Sequence, residues 1–191
     1  MQKYKRLKER SYYLLAKYKE LSSKNEDNKY KKYLIEDDCI GHFFECEGYK
    51  TYEDIAKFCK EKGFKRAFDI GCAYGHQSEC FIDTDVEYIG IEQTMWGDFW
   101  NSDRYNYING TYPFSIDTLD KDIAVSVLCL TWNCYLSNGE ETLKAQLEQL
   151  SKDFKHCLLY LAEDKIPKVL EYYKFHSKVK DKLYYFSNEV A

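Results

Sequence analysis

The chain has 191 residues, of which 45% are hydrophobic and 31% are charged, and its formal net charge at pH 7 is −4. These values are typical of one soluble globular domain, and the longest apolar run, residues 123–132, is too short to span a membrane as a helix. The N-terminus lacks the apolar segment of a signal peptide, so we expect a cytoplasmic protein whose eight cysteines are mostly buried free thiols.

Positive charge is concentrated at the beginning of the chain. Residues 1–33 contain eleven Lys or Arg residues and four acidic residues, a net charge of +7 against −11 for the remainder. Apolar side chains recur every three or four residues from Tyr4 to Leu21, which predicts an amphipathic helix. We therefore predict a basic N-terminal helical extension over residues 1–48. It suits an anionic partner such as RNA or DNA; the alternative is a solvated helix face docked on the acidic body.

The rest of the chain alternates between apolar runs and amphipathic segments. A helix is predicted first, beginning with Thr51 as its N-cap and closing at Gly63. The strands predicted after it cover residues 66–70, 87–92, 105–109, 122–130, 156–162 and 182–187. The helices predicted between those strands cover residues 75–82, 139–152 and 166–175.

This alternation predicts a doubly wound α/β domain over residues 49–191. We expect a mostly parallel, Rossmann-like sheet with helices on both faces, because a nearly continuous apolar strand such as 122–130 must be covered on both sides. Only about fifteen residues follow the last predicted helix. The sheet is therefore expected to have about six strands.

The segment between the first two strands of this domain is the most informative part of the sequence. The first strand contains Asp69, and Gly71 and Gly75 follow it. Glycines just past a strand let the backbone turn tightly and approach a ligand closely. The next strand ends at Glu92, where a carboxylate is suited to bind the two hydroxyls of a ribose. The pattern therefore predicts half of a nucleotide-binding crevice.

The run Asp69-x-Gly71-x-Ala73-x-Gly75 resembles motif I, D-x-G-x-G-x-G, of the Rossmann-like (class I) S-adenosylmethionine-dependent methyltransferases. Ala73 stands where the motif has its middle glycine. The resemblance covers about residues 50–163 and implies S-adenosylmethionine as the cofactor. The cofactor-binding residues that it implies are Asp69, Gly71, Ala73, Gly75, Glu92 for the ribose and Asn109 for the adenine amino group.

Other interpretations of the same segment stay open. It could be an ordinary βαβ turn whose glycines serve packing only. A dehydrogenase would instead hold the pyrophosphate of NAD with G-x-G-x-x-G, a spacing that this segment does not have. The main alternative is a non-catalytic methyltransferase-like protein that acts as a binding or interaction module.

The segment after the fourth strand decides the acceptor chemistry in many members of the resembled family. Here it includes Asn133, Cys134 and Tyr135 without the proline that accompanies such residues in base-methylating enzymes. Aromatic residues in loops past the strands could stack an acceptor ring, or they could cover hydrophobic surface. The candidate substrate-binding residues are Trp96, Trp132, Asn133 and Tyr135. No catalytic residue is assigned.

Two short segments, residues 39–46 and 72–80, each contain two cysteines and one histidine. Zinc sites usually have closer C-x2-C pairs and a fourth ligand, so we expect no metal at either segment. The sequence therefore predicts an S-adenosylmethionine-dependent methyltransferase of unknown acceptor. RNA or another anionic macromolecule is favoured over a small molecule.

Overall fold

The computed structural model describes residues 48–72, 75–92, 105–110, 112, 122–127 and 139–189. The predicted basic extension lies outside the described residues, apart from Gly48. Within the described ranges no helix combines the length and the apolar character needed to cross a bilayer. The fold below is that of the predicted α/β domain.

Helices and strands alternate along this domain. The α-helices are α1 (Gly48–Lys62), α2 (Gly139–Asp153) and the single turn α3 (Ile166–Val169). Two 3₁₀ helices cover His76–Phe81 and Glu163–Lys165. The strands are β1 (Arg66–Ile70), β2 (Glu87–Glu92), β3 (Tyr105–Asn109), β4 (Ile123–Ser126), β5 (His156–Tyr160), β6 (Phe175–Lys180) and β7 (Leu183–Ser187).

The seven strands form one sheet in the order β3-β2-β1-β4-β5-β7-β6. Strands β1 to β5 pair in parallel, and β7 pairs antiparallel with both β5 and β6. The predicted doubly wound, mostly parallel sheet is therefore confirmed. The chain order reverses between β1 and β4, and ligands of such sheets bind at the carboxyl ends of the strands beside that reversal.

Each face of the sheet is covered by its own apolar cluster. On one face, Ile55 and Cys59 of α1 pack with Phe81 of the first 3₁₀ helix against the side chains of Ala67 and Ile123. On the other face, α2 packs against alternate residues of the same strands, including Phe68 and Ala124. Alternation along β1 puts Asp69 on the same side as Ala67, so its carboxylate faces α1.

The C-terminal part of the domain differs from the prediction. The helix expected over 166–175 ends at Val169, and β6 occupies 175–180, so the sheet has seven strands rather than about six. Four of the six residues of β6 are polar or basic, five of the six are exposed and Val179 is half-buried, so the strand has no apolar run. The β6–β7 hairpin turns at Asp181 with φ of 48°, without a glycine to signal it.

The predicted start of one helix and the predicted type of another also need correction. Helix α1 begins at Gly48, so Thr51 lies inside its first turns and is not the N-cap. The helix predicted over 75–82 is a six-residue 3₁₀ helix, His76–Phe81. The predicted end of α1 is confirmed, since the amides of Gly63 and Phe64 donate back to Lys60 O and Cys59 O at 3.1 and 3.0 Å.

Candidate functional site

The glycine loop (residues 71–75) connects β1 to the first 3₁₀ helix, and its start is tied to β2. Gly71 and Gly75 have φ of 73° and 70°, a left-handed conformation that side chains disfavour. The amides of Gly71 and Cys72 donate to Ile91 O at 2.8 and 3.2 Å, and the Gly75 amide donates to Cys72 O at 2.9 Å. The loop therefore begins directly beside the residue that precedes Glu92.

Glu92 ends β2 at this carboxyl edge of the sheet, and its side chain is half-buried. The parallel register pairs Glu92 with Asn109, the last residue of β3. The amide of Gly110 donates to Glu92 O at 2.9 Å and extends that pairing by one residue. The two residues predicted to bind ribose and adenine therefore stand side by side at the ends of neighbouring strands.

Asp69 is buried beneath the glycine loop and accepts hydrogen bonds from three side chains. Tyr52 Oη of α1 donates to Oδ1 at 3.1 Å. Tyr88 Oη of β2 and Gln77 Nε2 of the 3₁₀ helix donate to Oδ2 at 2.6 and 2.8 Å. We call these four residues the Asp69 cluster. Both carboxylate oxygens of Asp69 accept hydrogen bonds from protein side chains, so the described contacts of Asp69 hold neighbouring elements of the fold together.

Burial raises the pKa of Asp69 to about 6, against the lowering effect of its three hydrogen bonds. The negative charge of Glu92 adds to the rise. The carboxyl of Asp69 is therefore mostly ionised at pH 7, and about half of it is protonated at pH 6. Burial raises the pKa of both tyrosines, so they stay neutral donors.

Three known structures resemble this domain. The bifunctional kinase-methyltransferase WbdD matches with a TM-score of 0.54 and 17% identity, over 76% of this chain and 40% of that chain. The T. thermophilus 16S rRNA methyltransferase RsmC, solved with AdoMet and guanosine, matches at TM-score 0.52 and 13% identity over 72% and 41% of the chains. The chain thus spans about two fifths of either protein.

The third structure matches over nearly its whole length. The N-methyltransferase NodS from Bradyrhizobium japonicum WM9 matches at TM-score 0.53 and 13% identity, over 76% of this chain and 96% of that chain. This chain has the fold of the class I S-adenosylmethionine-dependent methyltransferases. The predicted resemblance is thereby confirmed at the level of the fold. No protein-family model matches the sequence, and no curated protein does.

The methyltransferase fold brings five of the six predicted cofactor-binding residues to one edge of the sheet. Asp69, Gly71, Gly75, Glu92 and the backbone of Asn109 all lie at or just past the carboxyl ends of β1, β2 and β3. Ala73 lies outside the described residues. So do all four candidate substrate-binding residues, Trp96, Trp132, Asn133 and Tyr135, and also Cys134.

Three residues of the Asp69 cluster were missed by the sequence analysis. Tyr52 and Tyr88 lie 17 and 19 positions from Asp69 in the chain, so no local pattern relates them to it. Gln77 is nearer, but its neighbours carry no motif that marks it. Gly90 was also missed: it pairs with Asp69 in the sheet, and a Cβ there would lie 2.7 Å from Cys72 Sγ.

The cysteines of this region have the properties of buried thiols. Cys72 and Cys80 are buried thiols, and burial raises the pKa of Cys72 well above its usual value. Among the described residues no group of three or more His, Cys, Asp or Glu side chains is arranged to hold a metal ion. The cluster at residues 39–46 lies outside the described residues.

The opposite edge of the sheet carries a second concentration of charge. We call it the amino-edge groove, an open depression of about 810 Å³ at the amino ends of β1, β2 and β5. Two ion pairs lie in this groove: Arg66 Nε donates to Glu87 Oε2 at 2.8 Å, and Lys155 Nζ donates to Glu189 Oε1 at 2.6 Å. Asp122 Oδ2 accepts the backbone amides of Lys65 and Arg66 at 2.5 and 2.9 Å.

Proposed function

We propose that this protein binds S-adenosylmethionine at the carboxyl edge of its sheet and transfers the methyl group to an acceptor. The observation that carries the proposal is the left-handed glycine loop bonded to the end of β2, one residue before Glu92, on a methyltransferase fold. In this proposal the backbone of Gly71, Ala73 and Gly75 lines the donor, Glu92 binds its ribose, and Asn109 binds its adenine.

The electrostatics of the site fit a cationic donor. Asp69 and Glu92 are close enough that the charge of Glu92 raises the pKa of Asp69. Two acids that repel each other in this way disfavour an anion and favour a cation between or beside them. S-adenosylmethionine carries a sulfonium and an ammonium group against a single carboxylate, so its net charge complements this pair.

The chemistry asked of the protein is mostly positioning. When bound, the donor supplies a methyl group that its own sulfonium charge activates. The chain must align an acceptor with that methyl group and keep water away. Glu92 can fix the ribose with a pair of charge-assisted hydrogen bonds, and the glycine loop allows the donor to lie against the backbone.

The sheet argues against the dehydrogenase alternative. Dinucleotide-binding folds have the strand order 3-2-1-4-5-6, whereas here the antiparallel strand β7 stands between β5 and β6. The Gly71 and Gly75 spacing also differs from the dinucleotide fingerprint. Both observations support a mononucleotide-type donor over NAD.

For the acceptor, RNA or another anionic macromolecule is the leading candidate, ahead of a small molecule. The support is the net charge of +7 over residues 1–33, since basic segments bind phosphate backbones. We propose Trp96, Trp132, Asn133 and Tyr135 as the acceptor-binding residues. We also propose the cytoplasm as the site of action, supported by four described cysteines that are all buried thiols outside any disulfide.

A transfer assay tests the proposal. The purified chain is incubated with methyl-labelled S-adenosylmethionine and, in separate reactions, with total RNA or a pool of small metabolites. We expect label in the RNA, reduced about tenfold by Glu92→Ala when the donor is below saturation. Label among the small molecules alone would reassign the acceptor, and a chain that neither binds the donor nor transfers label would contradict the proposal.

A non-catalytic binding module on the same fold is the second candidate. The observation that favours it is the six-residue 3₁₀ helix after the glycine loop, which offers an incoming ligand less helix dipole than a full α-helix. A folded chain that neither binds the donor nor transfers a methyl group would be the result expected of such a module.

A further inference from the structure

Gln77 connects the buried carboxylate to the backbone of the glycine loop. Its Nε2 atom donates to Asp69 Oδ2 at 2.8 Å and to Cys72 O at 2.8 Å, which uses both hydrogens of the amide. Cys72 O also accepts the Gly75 amide at 2.9 Å. A single side chain, 4% exposed, therefore bonds to the end of β1 and to the carbonyl that closes the loop.

The carboxylate that holds Gln77 is itself fixed from two directions. Tyr52 Oη reaches Oδ1 from α1, and Tyr88 Oη reaches Oδ2 from β2. All four members of the Asp69 cluster are buried. Charge-assisted hydrogen bonds in such a setting are strong and directional, because no water competes for the oxygens.

We propose that Gln77 is a positioning residue for the methyl donor, and that its hold on the glycine loop depends on the negative charge of Asp69. This inference rests on the proposed function. Gln77 does not need to touch the donor. It holds Cys72 O in place, and Cys72 O in turn holds the Gly75 amide, so that the loop keeps the conformation that binds the donor.

Protonation of Asp69 weakens this arrangement for two reasons. The new O–H needs an acceptor, and among the three donors only the tyrosine hydroxyls can turn to accept it, whereas Nε2 of Gln77 cannot. The carboxyl also loses the charge that strengthened each bond and attracted the cationic donor. Because burial raises the pKa of Asp69 to about 6, this change falls within an accessible pH range.

The groups that face Asp69 are known from each element packed around it. They are Tyr52 on α1, Tyr88 and Glu92 on β2, Cys72 in the glycine loop, and Gln77 on the 3₁₀ helix. The pKa values of the tyrosines and of Cys72 are raised by burial, so these groups stay neutral from pH 5 to 8. His76 is close in sequence to Gln77, so a variant at this position serves as a control.

The test is calorimetric titration of the full chain with S-adenosylmethionine between pH 5 and pH 7.5. If only the ionised form binds, the dissociation constant rises about tenfold from pH 7 to pH 5. Asp69→Asn should bind weakly with no pH dependence in this range. His76→Gln should keep the pH dependence of the wild type.

Two variants separate positioning from general stability. Gln77→Leu should weaken donor binding about tenfold at pH 7.5. The matched control is Gln149→Leu, which removes a glutamine bond to another aspartate, Gln149 Nε2 to Asp153 Oδ2 at 3.1 Å on α2, and should leave donor affinity unchanged.

Tyr88→Phe keeps the ring and removes one hydrogen bond that lowers the pKa of Asp69. The pH at which donor affinity falls should therefore move upward in this variant, a shift that a loss of packing would not produce. Wild-type affinity that is flat from pH 5 to 7.5, or Gln77→Leu affinity equal to that of Gln149→Leu, would overturn this inference alone. A wild type that binds no donor at pH 7.5 would overturn the proposed function with it.

Discussion

The charged groups at the two edges of the sheet differ in their burial and in their partners. At the carboxyl edge, Asp69 is 2% exposed and has neutral donors rather than a basic partner among the hydrogen bonds described above. At the amino-edge groove, acids face bases: the Arg66–Glu87 pair is about one third exposed, and the Lys155–Glu189 pair is largely exposed.

Exposed ion pairs contribute little to stability, because water and salt screen them. A buried carboxylate without a counter-charge raises the free energy of the folded state, because its ionisation is penalised. The protein tolerates this penalty beside the glycine loop, where a cationic ligand would offset it. Under the proposed function, the buried acid at the carboxyl edge faces a cationic donor, whereas two acids at the amino edge are neutralised by basic side chains.

The largest expected effect concerns the pH dependence of folding. Because the folded-state pKa of Asp69, about 6, lies above its usual value of 3.8, the folded state binds the proton more tightly. Its contribution to stability is therefore fully present below pH 3.8 and is lost as pH rises through 6. The free energy of unfolding of the wild type, measured relative to Asp69→Asn, should rise about 2 to 3 kcal/mol from pH 7 to pH 4.

Denaturant unfolding at several pH values measures this difference. Asp69→Asn is the control for the wild type, because every other titrating group is common to both proteins. A difference that stays constant over this range would mean that Asp69 is not buried as an isolated charge. Under the present account, the same proton that stabilises the fold weakens donor binding.

The next effect contrasts the two ends of β2. Glu92→Ala should weaken S-adenosylmethionine binding tenfold or more, at least about 1.4 kcal/mol, because a pair of charge-assisted hydrogen bonds to the ribose is lost. Glu87→Ala, on the same strand but at the amino edge, removes the bond with Arg66 and should leave donor affinity unchanged. Equal loss in both variants, measured by calorimetry, would remove the functional distinction between the two edges.

A smaller effect is expected for Asp122→Ala in the amino-edge groove. This change leaves the amides of Lys65 and Arg66 without their carboxylate acceptor. Because Asp122 is half-buried and water can replace part of the bonding, the free energy of unfolding should fall by about 1 kcal/mol. Thermal unfolding gives this value, and a parallel loss of donor affinity would count against the separation of the two edges.

The smallest effect is expected for Glu189→Gln. Glu189 pairs with Lys155 through exposed side chains, which contributes little to stability. Burial lowers the pKa of the neighbouring His156, so its imidazole is mostly neutral at pH 7 and adds little charge beside Glu189. The melting temperature at physiological salt should not change beyond the error of the measurement. A clear decrease would show that the Lys155–Glu189 pair contributes more to stability than its exposure to solvent indicates.

Most of the parallel part of the fold could be predicted from the sequence. The strands β1, β2 and β3 match their predicted bounds, because β1 and β2 contain short apolar runs and three of the five residues of β3 are tyrosine or isoleucine, which favour strands. Strand β6 could not be predicted, since its residues are polar and exposed and it is held by pairing with β7. A local sequence pattern does not reveal a strand that forms through pairing with a neighbouring strand.

The candidate site shows the same division. Gly71, Gly75 and Glu92 were predictable because their chemistry depends on position relative to a strand end. The partners of Asp69 were not, since Tyr52 and Tyr88 reach it only through the packing of α1 and β2. The consequence is that the sequence suggested a direct role for Asp69 at the donor, whereas its described hydrogen bonds all go to the protein.

The most direct test of the central claim is calorimetric titration of the purified chain at pH 7.5 with S-adenosylmethionine, S-adenosylhomocysteine and NAD in separate experiments. The account predicts binding of the first two, weakened by Glu92→Ala and unaffected by Glu87→Ala, and no binding of NAD. Absence of heat with both adenosyl ligands, or binding of NAD in their place, would contradict it.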